Sequence, residues 1–263
     1  MKIHYLWGMQ NSITFLGTGT SQGIPLIGCH CEVCDSPDPR DKRLRSSALI
    51  EYEGIKVVID AGPDFRQQML REDVSDLDAI ILTHPHKDHT GGLDDVRAFN
   101  YITGKNMPVY CEPNVLESLK MEYSYAFKEF KYPGVPEFEV HTIGIEPFKI
   151  NGVEIIPVRA MHYKLPVLGY RFGKLGYLTD ANYISDEEIE KFRGVSVFVI
   201  NTIRREKHIS HFSLDEALDV ARRVGARHTY LTHLSHQIDK HSELSLFLPE
   251  GVTPAYDMLQ VKF

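Results

Sequence analysis

Residues Ala79–Gly92 read AIILTHPHKDHTGG, a short apolar run that ends in three histidines and an aspartate. Ala79 to Leu82 is apolar and bounded by polar residues, so it reads as a buried strand, and the chain from Thr83 onward emerges where that strand stops and a loop begins. Alternation along an extended chain puts His84 and His86 on the same side. The turn through Lys87 then brings Asp88 and His89 back beside them. Imidazole nitrogens and a carboxylate converging on one spot offer ligands for more than one metal ion. A surface loop rich in histidine by chance is a poor competing account of four ligand-bearing side chains within six residues at a strand end.

The rest of the chain sets bounds on this reading. With 263 residues and 43% hydrophobic content, it can bury one large core, and nothing in the composition forces a split. Residues 1–263 are therefore expected to form a single α/β domain, with a small cysteine cluster near residues 29–34. A net charge of -7 and the absence of a long Lys/Arg run argue against an extended nucleic-acid surface, because such binding rests on phosphate neutralisation. A small substrate is expected instead. No apolar stretch approaches the roughly 18 residues that span a bilayer, and MKIHYLWGMQ lacks the apolar segment and cleavage site of a signal peptide. The expectation is a cytoplasmic protein without membrane association. Met9 is as good a natural start as Met1, and a homodimer is left open.

Taken from the N-terminus, Ile13 to Leu16 reads as a strand followed by the glycine-rich loop Gly17 to Gly23, whose backbone amides are expected to approach a ligand closely. No helix opens at its end, so a dinucleotide fingerprint is excluded. Cys29, Cys31 and Cys34 then fall within six residues, which in a reducing compartment favours a metal thiolate site over disulfides. Three thiolates need a fourth ligand for tetrahedral zinc. His30, wedged between two ligating neighbours, is poorly placed to supply it. Cys111, in the strand-like PVYC, reads as a core residue.

Ser47–Tyr52 and Lys56–Asp60 read as a hairpin turning at Glu53-Gly54, and Asp60 or Asp64 as the cap of a helix over Phe65–Leu70. The aromatic stretch SYAFKEFKYPGVPEF reads as packing beneath or beside a site rather than as a substrate platform. Val153–Ala160, Leu175–Leu178, Val195–Ile200 and Tyr230–Thr232 read as strands that deliver His162, Asp180, Asn201 and His233 just past their ends. Ser185 to Glu188 and Ser213 to Glu216 read as capping boxes. The second opens a helix with a buried stripe of Leu214, Ala217, Leu218, Ala221 and Val224.

His84-x-His86-x-Asp88-His89 resembles the metal-binding motif of the metallo-β-lactamase-fold hydrolases. GTGTSQGIP followed by the three cysteines, together with the terminal LTHLSHQID, narrows the resemblance to the PhnP-like phosphoribosyl 1,2-cyclic phosphate phosphodiesterases. The resemblance implies an α/β fold, an αββα sandwich of two mixed sheets flanked by helices. It implies one metal held by His84, His86 and His162 and a second by Asp88, His89 and His233, with Asp180 shared. Asp60 would orient a ligating histidine. The active-site ions would be manganese or zinc, with iron also suited to such ligands, and a separate structural zinc would sit on Cys29, Cys31, Cys34 and His236, with His241 the fallback. The implied reaction is hydrolysis of a small cyclic phosphodiester by a hydroxide held between two ions. Asp88 and His211 are the catalytic residues, His211 protonating the leaving alkoxide, and His208, Arg204 and Arg205 are candidate phosphate contacts. The competing expectations are a tRNA 3′-processing endonuclease, which shares the ligands and a segment like the one after His162, and a non-catalytic metal-binding scaffold.

Overall fold

The computed structural model describes residues 11–263. The alternative start at Met9 and the reading of residues 1–10 as lacking a leader lie outside them. Among the described residues, the strands form two seven-stranded mixed sheets. The first holds β1 (Ser12–Gly17), β2 (Ser47–Tyr52), β3 (Ile55–Ile59), β4 (Ala79–Ile81), β5 (Met107–Cys111) and β6 (Phe138–Thr142). The second holds β7 (Phe148–Ile150), β8 (Val153–His162), β9 (Leu165–Phe172), β10 (Leu175–Leu178), β11 (Val197–Asn201), β12 (His228–Thr232) and β13 (Val252–Pro254). The chain builds one sheet and then the other, and β14 (Gln260–Lys262) returns to pair with β1.

Alternation decides which core each strand residue joins. In β2, Ala48 and Ile50 face the second sheet while Leu49 faces outward; in β3, Val57 and Ile59 face inward and Val58 outward. In β11, Val197 and Val199 enter the central core, and Phe198 and Ile200 the outer one. Both faces of these strands are covered, which is why they read as unbroken apolar runs. The outer face of the first sheet lies under α1 (Phe65–Arg71), the short α2 (Lys87–Thr90), α3 (Arg97–Thr103) and α4 (Pro113–Glu122). That of the second lies under α5 (Asp186–Glu190), α6 (Leu214–Val224) and α7 (His241–Phe247). This is the expected sandwich of two mixed sheets flanked by helices.

Several local expectations need correction. Two glycines after β1 also serve chain packing: a Cβ on Gly17 would lie 2.0 Å from the Arg45 carbonyl oxygen, and Gly19 bridges both Arg45 and Leu234. Asp64 precedes α1 without capping it; its carboxylate accepts instead from the Arg45 backbone and guanidinium at 2.8 and 2.9 Å. Ser185 does accept from the Glu188 amide, but the Glu188 carboxylate turns to the Arg159 N–H, so the first capping box is only half made. In the second, Glu216 accepts the Ser213 N–H at 2.9 Å. None of the helices among the described residues is long and apolar enough to cross a membrane.

Candidate metal centre

The strands of both sheets deliver chemistry at one edge. Just beyond β3, β4, β10 and β12 stand Asp60, His84, Asp180 and His233, β8 ends on His162 itself, two residues later than the sequence suggested, and the α2 turn adds His86, Asp88 and His89. Asp60, Asp180 and His233 have φ of 63, 53 and 57, left-handed backbone that costs a residue with a side chain and persists only where the surroundings over-determine it. Gly62 lets the α2 turn close on the loop after β3, since a Cβ there would lie 1.9 Å from the Asp88 carbonyl oxygen.

Asp180 is the centre of the cluster. Its Oδ2 lies 3.2 Å from His89 Nε2, 3.5 Å from His211 Nε2 and 3.7 Å from His84 Nε2, and its Oδ1 lies 2.9 Å from His233 Nδ1. His84, His86 and His162 form one group whose donor atoms lie within 4.8 Å of one another, and Asp88, Asp180 and His233 form another. The outer nitrogens of the rings are already occupied. His89 Nδ1 is 2.6 Å from Asp60 Oδ2, His84 Nδ1 2.9 Å from Thr83 Oγ1, and His162 Nδ1 2.7 Å from the Ser210 carbonyl. Asp60, fully buried, is held in turn by the Thr83 N–H and hydroxyl at 2.8 Å each. These partners orient each ring so that its other nitrogen points inward.

A divalent ion fits this donor set. His89 Nε2 is buried without a hydrogen-bond partner while a carboxylate on either hand approaches it. Burial would lower the His89 pKa, but Asp180, Asp60 and Asp88 outweigh it and raise it well above the usual value, so the pocket is built to hold positive charge. Burial would likewise raise Asp180, yet His233 and His89 keep its carboxyl well below the ordinary range. Burial brings His162 down to about 4, leaving a neutral imidazole with a lone pair to give.

His211, stacked on His233 with ring centroids 4.9 Å apart, stands inside the cluster and groups with His162 and Asp180. Its Nδ1 lies 3.2 Å from His208 Nδ1. The two arginines are engaged elsewhere: Arg204 donates to Gln237 and the Lys207 carbonyl, and Arg205 pairs with Asp239 and lies 5.3 Å over the Phe247 ring. Neither guanidinium is drawn into the histidine cluster. Sequence reasoning missed Ser46, whose Oγ lies 3.1 Å from His233 Nδ1; a serine at a strand edge carries no local signal for that role. Tyr123, directly before the aromatic stretch, is buried and donates to the Thr90 carbonyl beneath α2, while Phe130 and Tyr132 within the stretch are exposed.

A second donor set lies apart. Cys29, Cys31, Cys34 and His236 bring their donor atoms within 4.8 Å of one another. His236 Nδ1 is 3.2 Å from Cys29 Sγ and 3.5 Å from Cys31 Sγ. Burial opposes ionisation of Cys31, but hydrogen bonds from the Cys34 backbone and His236 lower it to about 6, toward the thiolate that metals bind. His241 is not part of the group; its N–H donates to Asp41 and its ring packs on Tyr256. Cys111 is buried, its thiol pushed up to about 12 by burial.

The chain is similar to proteins of known kind. A curated protein of Porphyromonas gingivalis named octanoyltransferase is 41% identical over 93% of this chain and 50% of its own length. A ribonuclease Z of a Cyanothece species is 31% identical over 60% of this chain and 45% of its own. The chain thus spans about half the length of the curated relatives it matches. A solved structure described as a new diphosphatase from the PhnP family is 40% identical, covers 97% of this chain and 98% of its own, and superposes with a TM-score of 0.90. The profile of the beta-lactamase superfamily domain matches residues 56–234, the stretch that runs from β3 to just past His233. Together with two mixed sheets and a histidine-aspartate cluster at their common edge, these likenesses establish that the chain belongs to the beta-lactamase superfamily and, within it, to the PhnP family.

Proposed function

We propose that the protein is a phosphodiesterase that opens a small cyclic phosphodiester of the phosphoribosyl 1,2-cyclic phosphate kind. The observation that carries this reading is Asp180, placed where one carboxylate meets His84, His89, His211 and His233 from both sheets. In this reading His84, His86 and His162 hold one divalent ion, Asp88, His89 and His233 a second, and Asp180 serves both. Two such ions acidify a water and draw charge from phosphoryl oxygens. The chain's own residues do the rest. Asp60 fixes His89 in the tautomer whose Nε2 faces inward. Asp88 and Asp180 set the negative charge against which the ions are held. His211 Nε2, on the same side as Asp180, gives its proton to the sugar oxygen as the ring opens. A net charge of -7 suits a small substrate better than an extended nucleic acid. Cys29, Cys31, Cys34 and His236 hold a zinc with a structural role.

The likenesses define the controls. A diphosphate tests the activity printed for the PhnP-family structure, a tRNA precursor that of ribonuclease Z, and an octanoyl donor that of the Porphyromonas protein, of which this chain matches half. Turnover of a ribose 1,2-cyclic phosphate well above the other three, abolished by Asp180→Ala and His86→Ala with loss of bound metal, is the expected result. Preference for any of the others replaces the substrate assignment. No turnover at full metal occupancy makes the protein a metal-binding scaffold.

A further inference from the structure

His233 and His236 are three residues apart on one turn, yet they belong to different donor sets. Asp88 and Asp180 stand with the first, and the three cysteines with the second. The left-handed backbone of His233 is not a shape the turn favours alone. What holds it comes from the long loop between β1 and β2. The Leu234 N–H donates to the Thr18 carbonyl at 2.8 Å, Ser46 Oγ lies 3.1 Å from His233 Nδ1, and the same hydroxyl donates to the Gly19 carbonyl at 2.9 Å. That loop also carries Cys29, Cys31 and Cys34. The two segments therefore meet twice, at His233 through the backbone and Ser46, and at His236 through the thiols. Between the meeting points, Ser235 is pinned to the Ile203 carbonyl by its N–H at 3.2 Å and its hydroxyl at 2.6 Å.

We infer that the cysteine site is a positioning device for His233: a metal on Cys29, Cys31, Cys34 and His236 clamps the 233–236 turn, and so sets the affinity of the neighbouring centre for the ion that Asp88, His89 and His233 hold. The inference rests on the ligand assignments proposed above. Residues that orient a metal ligand typically alter metal affinity by about 10- to 100-fold, and the clamp belongs to that class. The His84, His86 and His162 ion should feel it far less, because those three ligands come from the β4–α2 segment and β8, away from the clamped turn, and only the shared Asp180 touches His233.

The test is a manganese titration by calorimetry, after dialysis that strips the histidine-aspartate centre but leaves thiolate-bound zinc. Manganese suits oxygen and imidazole donors and avoids thiolates. In Cys31→Ser or His236→Ala, zinc is lost, one manganese equivalent weakens about tenfold or more, and the other changes far less. His236→Cys, which keeps four zinc ligands, retains both affinities. In a His233→Ala background, Cys31→Ser causes no further loss at that equivalent. Equal weakening of both equivalents, or unchanged manganese affinity in a folded variant that has lost its zinc, overturns the inference. Wild-type protein without cysteine-bound zinc overturns the ligand assignment and the inference together.

Discussion

His211 is close enough to Asp180, at 3.5 Å, that position alone does not distinguish a proton donor from a ligand. Chemistry does. A proton donor matters in proportion to the basicity of the oxygen that leaves. His211→Ala should keep its full metal content and lose about 10²- to 10⁴-fold in kcat on a cyclic ribose phosphate. On a nitrophenyl phosphodiester, which expels a stabilised phenolate, it should lose far less. Equal losses on the two substrates, or a missing equivalent of metal, would make His211 a phosphate contact or a ligand. Much of this residue scale was legible early: His84, His86, Asp88 and His89 lie within six residues, and their convergence follows from one strand end and one turn. Ser46 was not legible, because its partner His233 is 187 positions away and nothing local distinguishes it from any other strand-edge serine.

At the scale of elements, α6 determines where the His208–His211 segment can lie. The Phe212 N–H donates to the Ala181 carbonyl at 2.8 Å, and the Leu214 N–H to the Arg204 carbonyl at 2.9 Å, so the loop is tied down just before the helix begins. Ser213 adds its N–H and hydroxyl to the Glu216 carboxylate at 2.9 and 2.8 Å. Loss of a serine at this position costs about 1 kcal/mol, and Ser213→Ala should melt roughly 2–4 °C lower by calorimetry with its metal content unchanged. A melt indistinguishable from wild type would show that the loop, not the cap, holds the helix start. The Ser185 segment has the same sequence signature but a different outcome: there Arg159, from β8, takes the carboxylate of Glu188. A motif of four residues states which bonds are available, and tertiary neighbours settle which are made.

For the whole molecule, the two sheets are joined by a central core in which Tyr170, from β9, donates its hydroxyl across to the Leu82 carbonyl at 2.6 Å. The candidate ligands are divided in the same way. His84, His86, Asp88 and His89 come from the first sheet's side, and His162, Asp180 and His233 from the second's. Ions held among them would cross-link the halves and favour the folded state, where alone these donors converge. At a hundred times its Kd, one such ion stabilises the fold by about 2.7 kcal/mol, or roughly 5–10 °C in Tm for a chain of this size. Chelation should therefore lower the melting temperature by at least this much, and added manganese should restore the part owed to the histidine-aspartate centre. A melting curve insensitive to chelator would mean that the cluster is rigid without ions.

The alternation of apolar residues placed the strands, and the His-x-His-x-Asp-His run located the site, because burial face and turn geometry depend on neighbours a few residues apart. Cys29, Cys31 and Cys34 marked a candidate donor set for the same reason. Tertiary structure alone decided the partners drawn from far along the chain: that Asp180 would stand among four histidines, that Asp64 would bind Arg45 rather than cap α1, and that Arg205 would pair with Asp239. Each of those contacts joins segments whose separation in sequence sets no preferred distance between them. Pairing of β2 with β3 brings Asp64 to Arg45 and pairing of β11 with β12 brings Arg205 to Asp239, while the stacking of one sheet on the other, which brings five strand ends to a common edge, sets His84 and His89 beside Asp180.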